Sequence, residues 1–148
     1  MDDLLDVRCD QLMDVMFLVE IWLDSYFVSF RRLRVDGYHV IDRPRPRLRE
    51  GMKTNHGGVA AVAVPGIRIS PVDLGVKPGT IEFLCVRVAS GSSACVVAVL
   101  YRPGSEPMSS PFFSEISDVL DRLMTFSDPI VLVGDVNVRL DSAAIQFT

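Results

Sequence analysis

An acid and an amide follow a short apolar run near the end of the chain. Residues 130–133 (Ile-Val-Leu-Val) lead into Gly134, and then come Asp135 and Asn137. Gly134 removes the side chain at the bend, so that backbone or ligand can approach closely. If the strand continues through the turn, Asp135 and Asn137 point the same way. A carboxylate and an amide directed at one point suit metal-assisted attack on a phosphate. The alternative interpretation is that both residues are turn formers.

Polar residues also follow two other apolar runs. Glu20 follows residues 15–19, and Tyr101 with Arg102 follows residues 94–100. Sites in α/β proteins assemble where strands end, so these three strand ends are candidates for one site. Taken alone, Glu20 is equally well an ordinary strand-end acid, and Tyr101 a rim aromatic with a solvated hydroxyl.

The hydrophobic pattern predicts an α/β fold in one domain without internal repeats. Continuous apolar runs at 15–19, 94–100 and 130–133 are typical of strands covered on both faces. Residues 83–88 and 94–101 predict an antiparallel hairpin, and helical spacing of apolar residues predicts a helix over about 111–126. Further expectations are a short helix at about 3–13, strands at 38–41 and 59–64, and a proline- and arginine-rich loop over 42–57.

Composition excludes several classes of protein. The chain has 148 residues, 49% of them hydrophobic, and a mean hydropathy of +0.29, which argues against disorder. No apolar run reaches the ~18 residues that span a bilayer, and the acidic N-terminus does not resemble a secretory signal. The three cysteines form no CxxC pair, which disfavours a zinc site. We therefore expect an intracellular protein, nuclear or cytoplasmic, without a membrane or small-molecule cofactor.

Positive charge is concentrated in one segment of an acidic chain. The net charge is −4, but 8 of the 15 basic residues lie between positions 31 and 53: Arg31, Arg32, Arg34, Arg43, Arg45, Arg47, Arg49 and Lys53. One interpretation is a surface that faces nucleic-acid phosphates, and the other is a solvated loop that arginine keeps soluble.

Four motifs in series resemble the endonuclease/exonuclease/phosphatase (deoxyribonuclease I-like) family. The similarity is greatest to the endonuclease domains of non-LTR, LINE-type retrotransposons. Residues 17–23 resemble that group's Glu-Thr-Trp-Leu strand end, with Val19 and Ile21 in place of threonines. Three further matches are the glycine-rich strand entry at 56–60, the tyrosine-arginine-proline turn at 99–105, and the Gly-Asp-Phe-Asn hallmark at 134–137, with Val136 for the aromatic residue.

The resemblance implies a site, a cofactor and a partner. Glu20 would bind Mg²⁺ or Mn²⁺, a hard cation that takes oxygen ligands, and DNA would be the substrate. Asp135 would orient or deprotonate the attacking water, Asn137 would hold that carboxylate or the phosphate oxygens, Tyr101 would donate to the phosphate, and Arg102 would contact the substrate. The implied fold is a partial four-layer α/β sandwich, with mixed sheets flanked by helices.

The chain also departs from the family pattern. The family begins with a strand whose asparagine helps to hold the metal and ends with a Ser-Asp-His signature. Neither is found in residues 1–148, and neither His39 nor His56 matches the signature. The resemblance therefore implies an incomplete, inactive endonuclease domain that does not nick plasmid DNA. The alternatives are a non-catalytic remnant that binds metal or nucleic acid, and an unrelated α/β binding protein.

Overall fold

The chain folds into two sheets with a helix on the outer side of each. A computed structural model describes residues 13–21, 23–45, 57–105 and 107–138, without the side chains of residues 23–27. The elements are β1 (Val15–Val19), α1 (Leu23–Val35), β2 (His39–Pro44), β3 (Gly58–Ala63), β4 (Arg68–Pro71), β5 (Glu82–Ser90), β6 (Ser93–Tyr101), α2 (Ser110–Leu123) and β7 (Ile130–Asp135). Of the helix expected at 3–13, all but Met13 lies outside the described residues.

The two sheets differ in their strand directions. The three-stranded sheet has the order β1-β3-β2, and both of its strand pairs are antiparallel. The four-stranded sheet has the order β4-β5-β6-β7 and is mixed, because β6 and β7 are parallel. Helix α2 connects those two parallel strands, as a parallel pair requires a long crossover. The expected antiparallel hairpin of β5 and β6 is confirmed.

Three hydrophobic clusters separate four layers. Between the sheets, Val59 and Ala61 of β3 pack against inward residues of β5 and β6. Phe112, Val119 and Leu123 of α2 cover the other face of the four-stranded sheet. Phe30 and Leu33 of α1 cover the outer face of the three-stranded sheet. The layers are thus α1, sheet, sheet and α2, and the expected α/β sandwich is confirmed.

Helix α1 was not predicted, because three arginines interrupt its apolar pattern. Phe30 and Leu33 are buried, whereas Arg31, Arg32 and Arg34 are exposed. The sequence feature that could have indicated this helix is the glycine after its C-terminus. Gly37 has a φ of +89°, and its N–H donates to the carbonyl of Arg34. The N–H of Tyr38 donates to the carbonyl of Leu33 at 3.0 Å. This is the glycine-terminated arrangement common at helix C-termini.

One boundary and one burial pattern also differ from expectation. The loop expected from residue 42 begins later, because Asp42, Arg43 and Pro44 pair with β3. Pro44 is tolerated there since β2 is an edge strand in the described part of its sheet. The expectation that residues 130–133 are covered on both faces was wrong for the described residues. Strand β7 lies at the sheet edge, and Val131 and Leu132 are 43% and 49% exposed.

Glu115 of α2 attaches the loop that precedes β5 to the helix. Its carboxylate accepts from the N–H of Gly79 at 2.8 Å, from the N–H of Thr80 at 2.9 Å, and from the Thr80 hydroxyl. Burial alone would raise the pKa of this carboxyl, but the bonds from the Thr80 side chain and the two N–H groups outweigh it and lower the pKa. Among the described residues, no helix is long and apolar enough to cross a membrane.

Glu115→Gln is expected to lower the free energy of unfolding at neutral pH by about 1–2 kcal/mol, since three donors lose a charged acceptor at a partly exposed site. A carboxyl whose folded pKa is depressed stabilises above its unfolded pKa and loses that contribution as pH falls through the folded pKa. Urea denaturation at neutral and acidic pH should therefore show the two proteins converging in acid. Asp118→Asn, an exposed change on the same helix, is the control. A Glu115→Gln difference that is constant with pH would contradict this role.

Candidate functional site

Glu20 lies at the end of β1 in an unusual backbone conformation. Its φ is +55°, a region that residues other than glycine seldom adopt. The next residue, Ile21, is buried, and its N–H donates to the carbonyl of Gly58 at 3.2 Å. Strain of this kind, on the order of 1 kcal/mol or more, persists where the surroundings over-determine it. The anchored Ile21 fixes the chain after the turn, while the side chain of Glu20 stays accessible.

Tyr101 is the last residue of β6, and its side chain lies near Glu20. Its ring belongs to the cluster between the sheets, the residue is 5% exposed, and its hydroxyl lies near enough to the Glu20 carboxylate for that acid to perturb its pKa. Burial raises the pKa of the phenol above its usual value, and the interaction with Glu20 raises it further, while nearby Arg45 opposes them. The hydroxyl therefore stays protonated at neutral pH and remains a hydrogen-bond donor.

Asp135 lies beside Tyr101 on the next strand. The two residues are partners in the parallel register of β6 and β7, so their side chains project from the same face of the sheet. That face is turned toward the three-stranded sheet. Val99 and Val133, two positions earlier on the same strands and therefore on the same face, lie in the cluster between the sheets. The structure thus brings Glu20, Tyr101 and Asp135 to one end of the inter-sheet space.

Asn137 does not point alongside Asp135, because the strand does not continue through the turn as that expectation required. Strand β7 stops at Asp135, and Asn137 has a φ of +50°. Its backbone N–H donates to Asp135 Oδ1 at 2.8 Å, whereas its side-chain amide donates to the carbonyl of Arg102 at 2.7 Å. Asn137 therefore holds the Asp135 carboxylate through its backbone, and its side chain links the turn after β7 to the turn after β6.

Arg102 is buried rather than exposed to a ligand. The residue is 4% accessible, and its guanidinium donates to the carbonyls of Val136 at 2.8 Å and Asn137 at 2.7 Å. Its expected contact with substrate stays a prediction. In the structure, its side chain contacts the backbone that carries Asp135.

Glu82 and Arg45 belong to the same end and were missed by sequence reasoning. Glu82 pairs with Tyr101 across the hairpin, forms an ion pair with Arg45, and accepts from the N–H of Gly58 at 2.7 Å. These contacts join the two sheets beside the site. The hairpin register contained the signal, because the turn that pairs Ser90 with Ser93 places Glu82 opposite Tyr101.

The glycines at the start of β3 make room for this ion pair. A Cβ on Gly57 would lie 2.4 Å from Arg45 Cζ, and Gly57 and Gly58 have φ values of +124° and +130°. The side chain of Arg45 therefore lies directly over the glycine backbone. A side chain at position 57 would occupy the space that Arg45 fills, which is a physical reason for glycine there.

The described part of the basic segment is largely engaged within the fold. Arg34 pairs with Asp42 at 2.5 Å, Arg45 pairs with Glu82, and Arg43 donates to the carbonyl of Phe83 at 3.1 Å. A surface that faces nucleic-acid phosphates stays a prediction for this segment. Arg47, Arg49, Lys53 and His56 lie outside the described residues.

The site offers oxygen ligands of the type that Mg²⁺ and Mn²⁺ take. The Glu20 and Asp135 carboxylates lie at the same end of the inter-sheet space, each near Tyr101. Within the described ranges, no group of three or more His, Cys, Asp and Glu side chains is placed to hold a metal. This donor set suits Mg²⁺, which is commonly held by one or two carboxylates and keeps several waters, and it does not suit zinc.

His39 is too far from this end to take part. It pairs with Ala63, whereas the site lies at the Gly58 end of β3. Five residues of strand separate the two ends, about 17 Å at a rise of ~3.3 Å per residue.

Comparison with known proteins shows likeness in fold but not in sequence family. No protein-family model and no curated protein matches the chain. Among solved structures, it resembles the human Nocturnin catalytic domain with bound sulfate at 19% identity and a TM-score of 0.68, covering 92% of this chain and 55% of that one. It resembles ANGEL2, a 2′,3′-cyclic phosphatase in complex with adenosine-2′,3′-vanadate, at 18% identity and a TM-score of 0.66, covering 96% and 45%.

A third similar structure is that of D. rerio TDP2 complexed with a single-strand DNA product. The identity is 14% and the TM-score is 0.64, covering 93% of this chain and 53% of TDP2. The chain thus spans about half the length of the solved structures that it resembles. Together with the four observed layers, these likenesses establish that the chain has a partial deoxyribonuclease I-like α/β fold.

Proposed function

We propose that this chain carries the metal- and phosphate-binding edge of a divalent-metal-dependent phosphodiesterase that acts on DNA. The finer proposal is the endonuclease domain of a LINE-type retrotransposon, for which the four sequence motifs are the support. The observation that carries the proposal is the meeting of Glu20, Tyr101 and Asp135 at one end of the inter-sheet space. An acid, a phenol and a second acid come from three strand ends that are distant in sequence.

Each side chain has a role that its environment supports. Asp135, whose carboxylate is oriented by the N–H of Asn137 at 2.8 Å, would orient or deprotonate the attacking water. Tyr101, with its raised pKa, would donate to a phosphate oxygen. Glu20 would hold the cation. When bound, the ion would supply screening of the phosphate charge and stabilisation of the leaving oxygen.

The ligands of the similar structures support a phosphate-bearing substrate. The Nocturnin domain binds sulfate, ANGEL2 binds an adenosine vanadate, and TDP2 binds a single-strand DNA product. Nucleic acid is therefore our proposed partner, and Mg²⁺ or Mn²⁺ our proposed cofactor.

A second candidate function is a non-catalytic module that binds metal or nucleic acid. Two observations favour it: His39 of β2 pairs with Ala63, at the end of β3 away from the site, and the described residues contain no cluster of three metal-ligating side chains. A cationic donor that neutralises charge in the transition state is worth about 10²–10³ in rate. Catalytic groups act together, so the loss of one removes most of the activity.

The two functions share one test, which is DNA binding and cleavage measured on the same samples. We expect Mg²⁺ to tighten the binding of a fluorescein-labelled duplex relative to EDTA. Tyr101→Phe should weaken DNA binding in Mg²⁺ by about tenfold, because a hydrogen bond to a charged phosphate is lost. Tyr38→Phe, which removes a hydroxyl before β2 at the opposite end, is the control. Gels of the same mixtures, and of supercoiled plasmid, should show no cleavage by the 148-residue chain.

Two outcomes would contradict this account in different ways. If DNA binding is the same in Mg²⁺ and EDTA, and the same for Tyr101→Phe, the proposed site does not bind phosphate and both functions fail. If the chain nicks plasmid with Mg²⁺ or Mn²⁺ and Asp135→Ala abolishes the nicking, the chain is a complete nuclease and the second candidate fails.

A further inference from the structure

Arg102 is buried, whereas an arginine that binds substrate would have to be accessible to it. The residue is 4% exposed, and its Cζ lies 5.4 Å from the centroid of the Phe112 ring on α2. Cation–π contact of this type is effective where the cation is removed from water. The guanidinium is therefore enclosed between the sheet and the helix, behind the strand ends.

The donors of Arg102 are directed at the turn that follows Asp135. Nε donates to the carbonyl of Val136 at 2.8 Å, and a terminal nitrogen donates to the carbonyl of Asn137 at 2.7 Å. A planar guanidinium can hold two adjacent carbonyls at once with little freedom of its own. Two consecutive peptide groups of the turn are thereby fixed by one side chain.

The backbone of Arg102 completes the attachment. Its N–H donates to the carbonyl of Asp135 at 2.9 Å, and its own carbonyl accepts from the Asn137 side-chain amide at 2.7 Å. Arg102 thus contacts Asp135, Val136 and Asn137 through its backbone or its side chain. The turn includes a non-glycine residue in the left-handed region, since Asn137 has a φ of +50°. Such a conformation requires contacts that hold it in place.

We propose that Arg102 is a positioning residue that locks the turn at residues 135–137 so that the Asn137 N–H grips the Asp135 carboxylate. This deepens the role that Asp135 has in the proposed function and rests on it. In this proposal the guanidinium acts through the turn, and this role replaces the substrate contact that the family resemblance implied for Arg102. Removing it frees the turn, and the bond from the Asn137 N–H to Asp135 Oδ1, 2.8 Å in the structure, is then no longer maintained.

The test is NMR of the Asn137 backbone amide. In the wild-type chain, this amide should exchange slowly with solvent, because it donates to Asp135 Oδ1 at 2.8 Å. In Arg102→Met, exchange of this amide should accelerate by at least about tenfold, while β6 core amides such as that of Val97 stay protected. Arg102→Lys should restore part of the protection, because an ammonium can reach one carbonyl but not hold two. Arg122→Met, an exposed change near the end of α2, should change nothing.

Each result decides the inference separately from the proposed function. Unchanged exchange of the Asn137 amide in a folded Arg102→Met overturns the positioning role. If that variant does not fold, the wild-type Arg102 Nε–H resonance decides: slow solvent exchange supports the role, and rapid exchange overturns it. Failure of the wild-type chain to bind Mn²⁺ would contradict the proposed function. It would leave the positioning role of Arg102 unaffected, since the amide exchange is measured without metal.

Discussion

Gly134→Ala is expected to destabilise the fold more than any other single substitution considered, by about 3 kcal/mol or more. A Cβ at this position would lie 1.8 Å from the carbonyl oxygen of Leu100 and 2.8–2.9 Å from that residue's C and N atoms. These are backbone atoms of the neighbouring strand, so no side-chain rotation relieves the clash. Gly134 also has a φ of +136°, which an alanine adopts only with strain. Urea denaturation followed by circular dichroism measures the loss.

Gly91→Ala separates the clash from the backbone strain. Gly91 has a φ of +56° in the β5–β6 turn, and a Cβ there would meet no atom within 4 Å. This control should therefore cost only the strain, about 1 kcal/mol. Equal losses in the two variants would show that the close approach of β7 to Leu100 does not exist in solution.

The same substitution should also disturb the candidate site. Gly134 pairs with Leu100, and the next pair in the parallel register joins Asp135 to Tyr101. Displacing β7 at Gly134 therefore moves the Asp135 carboxylate relative to the Tyr101 hydroxyl. The glycine of the motif is thus required by the packing of the two strands, and the placement of the acid depends on it.

Most strands of this fold were predictable because a strand buried between layers is apolar on both faces. Residues 59–63 and 94–100 show this directly, since β3 and most of β6 are buried. Helix α2 was predictable for a similar reason, because one of its faces is uniformly apolar. Among the residues of α1 whose side chains the structure describes, Phe30 and Leu33 are buried, and three arginines interrupt the apolar pattern around them. Strand β4 has four residues, too few for a pattern.

The candidate site was predictable in its residues but not in all their directions. Polar residues at the ends of β1, β6 and β7 marked the edge where the sheets meet. Which way Asn137 points depends on a single positive φ, which sequence does not specify. Arg45 could not be placed beside Glu82, because that ion pair joins two sheets whose packing is a tertiary property.

Loss of either carboxylate is the second large effect that we expect. The wild-type chain should bind Mn²⁺ weakly, on the order of millimolar, because two carboxylates leave most of the coordination to water. Replacing a residue that only hydrogen-bonds to a metal ligand lowers metal affinity by about 10–100-fold. Replacing the ligand itself should lower the affinity at least as much. Glu20→Gln and Asp135→Asn keep the side-chain shape and remove one negative charge each, so any change reflects the carboxylate.

Electron paramagnetic resonance of free Mn²⁺, titrated against the 148-residue chain, tests this most directly, because it requires no catalysis and no DNA. Asp118→Asn removes the same charge from the exposed face of α2 and is the matched control. The account predicts a weak site in the wild-type chain and in Asp118→Asn, weakened by at least about tenfold in both Glu20→Gln and Asp135→Asn. Mn²⁺ affinity that is the same in all four proteins would contradict it, because the ends of β1 and β7 would then not form a metal site.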